Sequence, residues 1–204
     1  TMELKMETYF GAKAIESQRS SGYKDTIYAL AELIDNSFDA QATLCKVIFI
    51  ERKDKGKKYI DEILICDDGV GMDKDVLQMC LQFGGTTNDD ISEIVRTKKT
   101  GKFGFGLPNA SISQCRSINI YSWKEKDTIL TTNLILDNIE KTNSIKLPEV
   151  KSVELPSYYE DLEAVINEDH GSIVSWKDCD RLSNTQASTI TRKSEELLGR
   201  LYRY

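Results

Sequence analysis

Histidine is nearly missing: His170 is the only one in 204 residues. A multi-histidine metal site is therefore excluded, and a histidine-based triad would rest on that one residue. Cysteine is sparse and scattered. Cys45, Cys66, Cys80, Cys115 and Cys179 stand singly in mostly apolar stretches, with no pair at metal-ligand spacing, and read as reduced core residues. Long hydrophobic runs are lacking too, so neither a membrane span nor the apolar region of a secretory signal is present, and a cytoplasmic location is expected, or a nuclear one in a eukaryote. Nor is there an excess of positive charge. Lys and Arg total 27 against 33 Asp and Glu, a formal net charge of -6. No overall field favours nucleic acid or an anionic membrane, so any nucleic-acid contact is expected from regions outside this chain.

With 40% hydrophobic residues the chain can bury one substantial core. Ile27, Leu30, Ala31, Ile34 and Phe38 recur at helical spacing behind Asp25, a plausible cap. Residues 44–50 and 59–66 read as strands joined by a charged turn, Lys53 to Lys58, around Gly56. A short helix from Lys74 to about Phe83 precedes a long polar, glycine-bearing segment, Gly84 to Gly106, of the kind that is usually functional. Pro108 suits the first turn of a helix running to about Cys115. Residues 116–123 and 128–136 form a second expected hairpin, 172–176 a further strand, and Gln186 to the end a final helix; residues 137–170 carry little pattern.

Three elements carry chemistry. Glu32 and Asn36, four residues apart on the first helix, share one face. A carboxylate there can take a proton from water, and a neutral amide oxygen can complete the shell of a magnesium ion held by phosphates. Asp67-Asp68-Gly69-Val70-Gly71-Met72 follows a strand directly. A side chain at a strand end is held rigidly, so Asp67 can accept from an exocyclic amine while the glycines let a flat ring approach. Third, Gly101-Lys102-Phe103-Gly104-Phe105-Gly106 opens the Pro108 helix, where free N–H groups attract phosphate. It follows no strand as a Rossmann fingerprint must, and no Walker-type Gly-Lys-Ser/Thr occurs.

Taken in order, these elements resemble the GHKL superfamily, which includes DNA gyrase, the large heat-shock chaperone, histidine kinases, and the MutL and Microrchidia ATPases. The most specific stretch is Ala31-Glu32-Leu33-Ile34-Asp35-Asn36-Ser37-Phe38-Asp39-Ala40. Leu81-Gln82-Phe83-Gly84 and the closing Leu201-Tyr202-Arg203-Tyr204 lean toward the Microrchidia-like or MutL-like branch. The resemblance implies an α+β fold, a two-layer sandwich of helices on a mixed, mainly antiparallel sheet. It also implies ATP and Mg2+ as ligands, with Glu32 the general base, Asn36 the magnesium ligand and Asp67 the adenine contact. Asp39, Ala40, Gly69, Gly71 and Met72 would border the nucleotide. Gly101, Lys102, Phe103, Gly104, Phe105 and Gly106 would form the hinge and phosphate contact of a lid that also holds Thr86, Thr87, Lys98 and Lys99. Ser172, after Gly171, matches the family's Gly-Thr pair with its hydroxyl kept.

The implied organisation is a segment 1–22 that exchanges between subunits of an ATP-dependent homodimer, a nucleotide-binding domain over 23–185, and a helix 186–204 leading to a second domain beyond this chain. That second domain supplies a phosphate-contacting lysine in the ATPase branch, so turnover by these residues alone is expected to be weak. Mg-dependent ATP hydrolysis driving lid closure is the leading reading. A protein kinase using the same pocket and a nucleotide-gated module without turnover are the alternatives.

Overall fold

The computed structural model describes residues 11–81, 106–125, 127–142, 149–164 and 169–201. The segment before Tyr23, expected to be a polar strap, contains a helix, α1 (Gly11–Ser21). It lies on its own chain: the buried Arg19 donates from Nε to the Ile112 carbonyl (2.8 Å) and from Nη2 to Asp180 (2.5 Å). α2 (Thr26–Asp39) begins where expected, because the Asp25 carboxylate accepts from the Ile27 N–H (3.0 Å) and so satisfies one orphan donor of the first turn. Its apolar stripe buries Ile27, Leu30 and Ala31, but Phe38, expected on the same stripe, is 51% exposed beside the end of the helix.

β1 (Cys45–Asp54) and β2 (Lys57–Asp67) form the first hairpin. The charged turn is shorter than the sequence reading. Lys55 and Gly56 both have positive φ (48° and 80°), the two-residue geometry whose twist matches that of paired strands, so pairing continues through Lys53 and Lys58. α3 (Lys74–Met79) is capped by Asp73 and is shorter than expected. α4 (Gly106–Ile112) contains Pro108 in its first turn. It leads into β3 (Ser117–Trp123) and β4 (Leu130–Ile135), the second expected hairpin. The stretch without pattern holds three short elements: α5 (Leu136–Thr142), β5 (Lys151–Ser152) and α6 (Ser157–Asp161). β6 (Gly171–Lys177) and α7 (Ala187–Leu201) complete the chain.

The strand order is β1-β2-β6-β3-β4-β5, and every pairing among the described strands is antiparallel. β2 and β6 are interior and covered on both faces, which explains the unbroken run Ile63-Leu64-Ile65-Cys66 where a half-exposed strand would alternate. Ile63, Ile65, Ile118, Ile120, Val174 and Trp176 face the main core with α1, α2 and α4. Leu64, Cys66 and Ile173 face the other way, onto Trp123 and the Tyr159 of α6. On that reverse face the buried Glu62 accepts from the hydroxyls of Ser175 (2.5 Å), Tyr159 (2.7 Å) and Tyr158 (2.9 Å). The architecture is the expected α/β sandwich of helices on a sheet. All five cysteines are free, and Cys66 and Cys115 are buried. No described helix is long and apolar enough to cross a membrane.

Candidate functional site

Where β2 ends against α2 lies a narrow cleft whose empty space, open solvent included, is about 350 Å³. α2 lines it with Leu33, Asn36, Ser37 and Ala40, positions i, i+3, i+4 and i+7 of one helical face. The sheet adds Ile65, Asp67, Ser172 and Val174; Met72 and the Leu107 of α4 close it. Five of the sequence-selected residues, Asn36, Ala40, Asp67, Met72 and Ser172, thus meet around one space although they span 137 positions (172 minus 36, both ends counted).

Asp67 is 8% exposed and its carboxylate is held twice: Oδ1 accepts from the Gly69 N–H (2.9 Å) and Oδ2 from the Ser37 hydroxyl (3.3 Å). Burial pushes its pKa up to about 6, against the pull of those two donors. Asp68, adjacent in sequence, has a different task. It accepts from the Thr43 N–H (2.7 Å), the Thr43 hydroxyl (2.6 Å) and the Leu44 N–H (2.9 Å), tying the α2–β1 connection to the strand end.

The glycines of this turn are there for close approach. A Cβ on Gly69 would lie 2.8 Å from the Ala40 carbonyl oxygen and 2.8 Å from Asp67 Oδ1. Gly71 has φ +67°, and a Cβ there would be 2.0 Å from the Trp123 carbonyl oxygen. The Met72 N–H donates to the Ser122 hydroxyl (2.8 Å), which lies 2.9 Å from the Ser172 hydroxyl. Ser172 is the register partner of Asp67 on one side and of Ser122 on the other, so one rung of the sheet carries all three. His170 donates from Nδ1 to the Gly69 carbonyl (2.8 Å), bracing the same turn.

Asn36 faces the cavity, and its buried amide nitrogen has no hydrogen-bond partner among the described residues. An amide with an unengaged end, whose nitrogen and oxygen exchange places by a flip, is free to meet a ligand. One turn away, Glu32 lies outside the cavity lining and against α4: a Cβ on Gly106 would be 1.8 Å from Glu32 Oε1. The Tyr23 hydroxyl donates to Glu32 Oε2 (3.1 Å). Burial first, then the charge of Glu32, pushes the Tyr23 phenol above its ordinary value, so it keeps its proton and donates.

Asp39 does not line the cavity; it is exposed, because at three residues beyond Asn36 and six beyond Leu33 it has turned off the face that 33, 36, 37 and 40 share. Thr86, Thr87, Lys98, Lys99, Gly101, Lys102, Phe103, Gly104 and Phe105 lie outside the described residues. Sequence reasoning passed over Tyr23, Ser37 and Ser122, and weighed His170 only for a metal site or triad. Ser37 was within reach, since helical spacing places it beside Leu33; nothing local marks Ser122 as a neighbour of Ser172.

A family model described as histidine kinase-, DNA gyrase B-, and HSP90-like ATPase matches residues 24–172. Protein MICRORCHIDIA 6 of Arabidopsis thaliana is 24% identical over 115 residues, 56% of this chain and 16% of that protein. The ATPase MORC2B of Mus musculus is 31% identical over 97 residues, 48% of this chain and 9% of that protein. The chain therefore spans less than a fifth of the length of these curated relatives. A crystal structure titled as the N-terminal domain of a DNA repair protein superposes with a TM-score of 0.56 at 17% identity, covering 92% of this chain and 48% of the other, and so shares the fold. With the match extending from the segment before α2 to Ser172 at the sheet's cavity end, the chain belongs to the histidine kinase-, DNA gyrase B-, and HSP90-like (GHKL) ATPase family.

Proposed function

We propose that this chain binds ATP in the α2–sheet cavity, with its adenine amine on Asp67, and hydrolyses it with Glu32 aligning the attacking water. The observation that carries this is Asp67 itself: a buried carboxylate at a strand end, facing a cavity walled by apolar side chains, with a hydroxyl from Ser172 alongside. Such a site takes a flat, largely apolar ring that donates one hydrogen bond. The nucleotide then runs along α2, so that its phosphates reach Asn36 and the terminal one lies near Glu32, two side chains one helical turn apart.

Asn36 fits a magnesium ion in a specific sense. Its buried amide nitrogen has no partner among the described residues, and a flip of the amide would turn its oxygen to that unengaged position. A single neutral oxygen suits a cation whose other ligands are phosphate oxygens and water. When bound there, magnesium would neutralise phosphate charge and fix the phosphates in place. Glu32 accepts the proton of the attacking water as its oxygen bonds to the terminal phosphorus and the bond from that phosphorus to the ADP oxygen breaks, with lid closure excluding bulk solvent. Lid closure coupled to dimerisation makes hydrolysis a conformational timer and not a source of product; exchange of residues 1–22 would require α1 to leave the contacts that Arg19 makes with Ile112 and Asp180 and remake them on the partner. The domain limits 23–185 and 186–204 belong to the same proposal.

Calorimetric titration with ATP, ADP and a non-hydrolysable analogue, with and without magnesium, tests it. Magnesium-dependent binding weakened by both Asp67→Asn and Asn36→Ala is expected, with phosphate released to water in a Glu32-dependent reaction. A folded chain that binds no nucleotide, or turnover unchanged in Glu32→Ala, overturns the reading.

A further inference from the structure

Glutamate has three side-chain torsions, and a carboxylate that must aim one lone pair at a water loses most of its value if it swings. Two contacts limit that swing for Glu32. On one side the backbone of Gly106 packs so tightly that a Cβ would fall 1.8 Å from Oε1 and 2.7 Å from the carboxyl carbon. On the other side the Tyr23 hydroxyl donates to Oε2 at 3.1 Å. Tyr23 lies outside α2, so its phenol reaches the carboxylate from a separate segment whose own position must be secured.

Gln114 secures it. Its side chain is fully buried two residues beyond α4, and Nε2 donates to the Tyr23 carbonyl (2.8 Å) while Oε1 accepts from the Thr26 hydroxyl (2.7 Å). Thr26 Oγ1 in turn accepts from the Ser183 N–H (2.8 Å), joining the segment that precedes α7. The short stretch from Gly106 to Gln114 therefore supplies both the wall behind Glu32 and the anchor of the residue in front of it.

We propose that Tyr23 is a positioning residue for the Glu32 carboxylate: its phenol occupies Oε2 and leaves the group one orientation toward the attacking water. This rests on the proposed function and deepens it. The phenol touches neither nucleotide nor water; it acts through Glu32.

The test compares the parent, Tyr23→Phe, Glu32→Asp and the double variant by steady-state ATP turnover, calorimetric ATP binding and thermal denaturation. Tyr23→Phe removes one hydroxyl oxygen and keeps the ring. The expected result is a fall of about tenfold in kcat, the weight of one hydrogen bond to a charged group, with KM, ATP affinity and melting temperature nearly unchanged. In Glu32→Asp the shortened carboxylate is out of the phenol's reach, so adding Tyr23→Phe produces no further loss. An unchanged kcat, a change confined to KM, or an equal loss in both backgrounds overturns the role of Tyr23. If the parent hydrolyses ATP and Glu32→Ala abolishes it, only Tyr23 is at stake; if Glu32→Ala changes nothing, the function reading fails and the assignment of Tyr23 with it.

Discussion

Replacing Asp67 by asparagine should make the free protein more stable and its nucleotide complex weaker. Burial raises the carboxyl from 3.8 to about 6, a difference of roughly two units. At about 1.4 kcal/mol per unit, keeping Asp67 ionised in the folded chain at neutral pH costs about 3 kcal/mol. Asparagine carries no charge and keeps its oxygen toward the Gly69 N–H; its NH2 replaces Oδ2 beside the Ser37 hydroxyl, which can accept from it while donating to the Leu33 carbonyl (3.1 Å), but the amide hydrogens lose water, which returns about 1–2 kcal/mol of the gain. The net is about 1–2 kcal/mol, a rise of about 3–6 °C in melting temperature for a chain of this size.

The sign follows from proton uptake. The unfolded chain releases the Asp67 proton near 3.8 and the folded chain near 6, so between these values the folded state binds more protons. The parent's stability from this group is therefore fully present below about 4 and is lost as pH rises toward 6. Thermal denaturation of parent and variant at pH 7.5 and pH 4.5, with and without ATP, reads both effects. The variant's advantage should shrink at the lower pH, and ATP should raise the melting temperature of the parent more than that of the variant. A variant less stable than the parent at pH 7.5 by an amount that does not change with pH would refute the reasoning, as would an undiminished response to ATP.

Other outcomes follow from the same geometry. ATP affinity of the parent should fall as pH drops through about 6, since a protonated Asp67 is an uncharged and weaker acceptor for the adenine amine; calorimetry against the Asp67→Asn baseline, which corrects for phosphate titration, checks this. Gly106→Ala would drive a methyl group into the Glu32 carboxylate, and turnover should fall about 10²-fold while nucleotide binding persists, read as kcat against affinity. Glu62→Ala strips a buried acceptor from the hydroxyls of Ser175, Tyr158 and Tyr159 on the reverse face. It should cost about 2–3 kcal/mol in denaturant unfolding and leave ATP affinity alone.

Much of this protein is legible in its sequence. The Asp25 cap and the stripe Ile27, Leu30, Ala31 define α2 by local periodicity, and Glu32 and Asn36 share a face because helix geometry leaves no alternative. The two hairpins follow from turn residues and apolar runs, although the Lys55–Gly56 turn is tighter than charge alone implied, because positive φ at both positions is a backbone property and not one of composition. The order of the three motifs was enough to indicate the family.

Other features depend on contacts between distant residues, on which local periodicity is silent. β6 comes last among the strands yet lies between β2 and β3, because it carries large apolar side chains on both faces, Ile173 on one and Val174 and Trp176 on the other, and only the middle of the sheet covers both. That insertion places Ser172 beside Asp67 and Ser122, and it makes the cavity. α1 lies against its own chain through the buried Arg19, and Tyr23 reaches Glu32 because Gln114, 91 positions further on, holds its carbonyl. Residue type and spacing determined which groups carry the chemistry. Only the packing of α4 and β6 against α2 decided which of them meet, because the energy of burying one side chain against another depends on distance in space and not on distance along the chain.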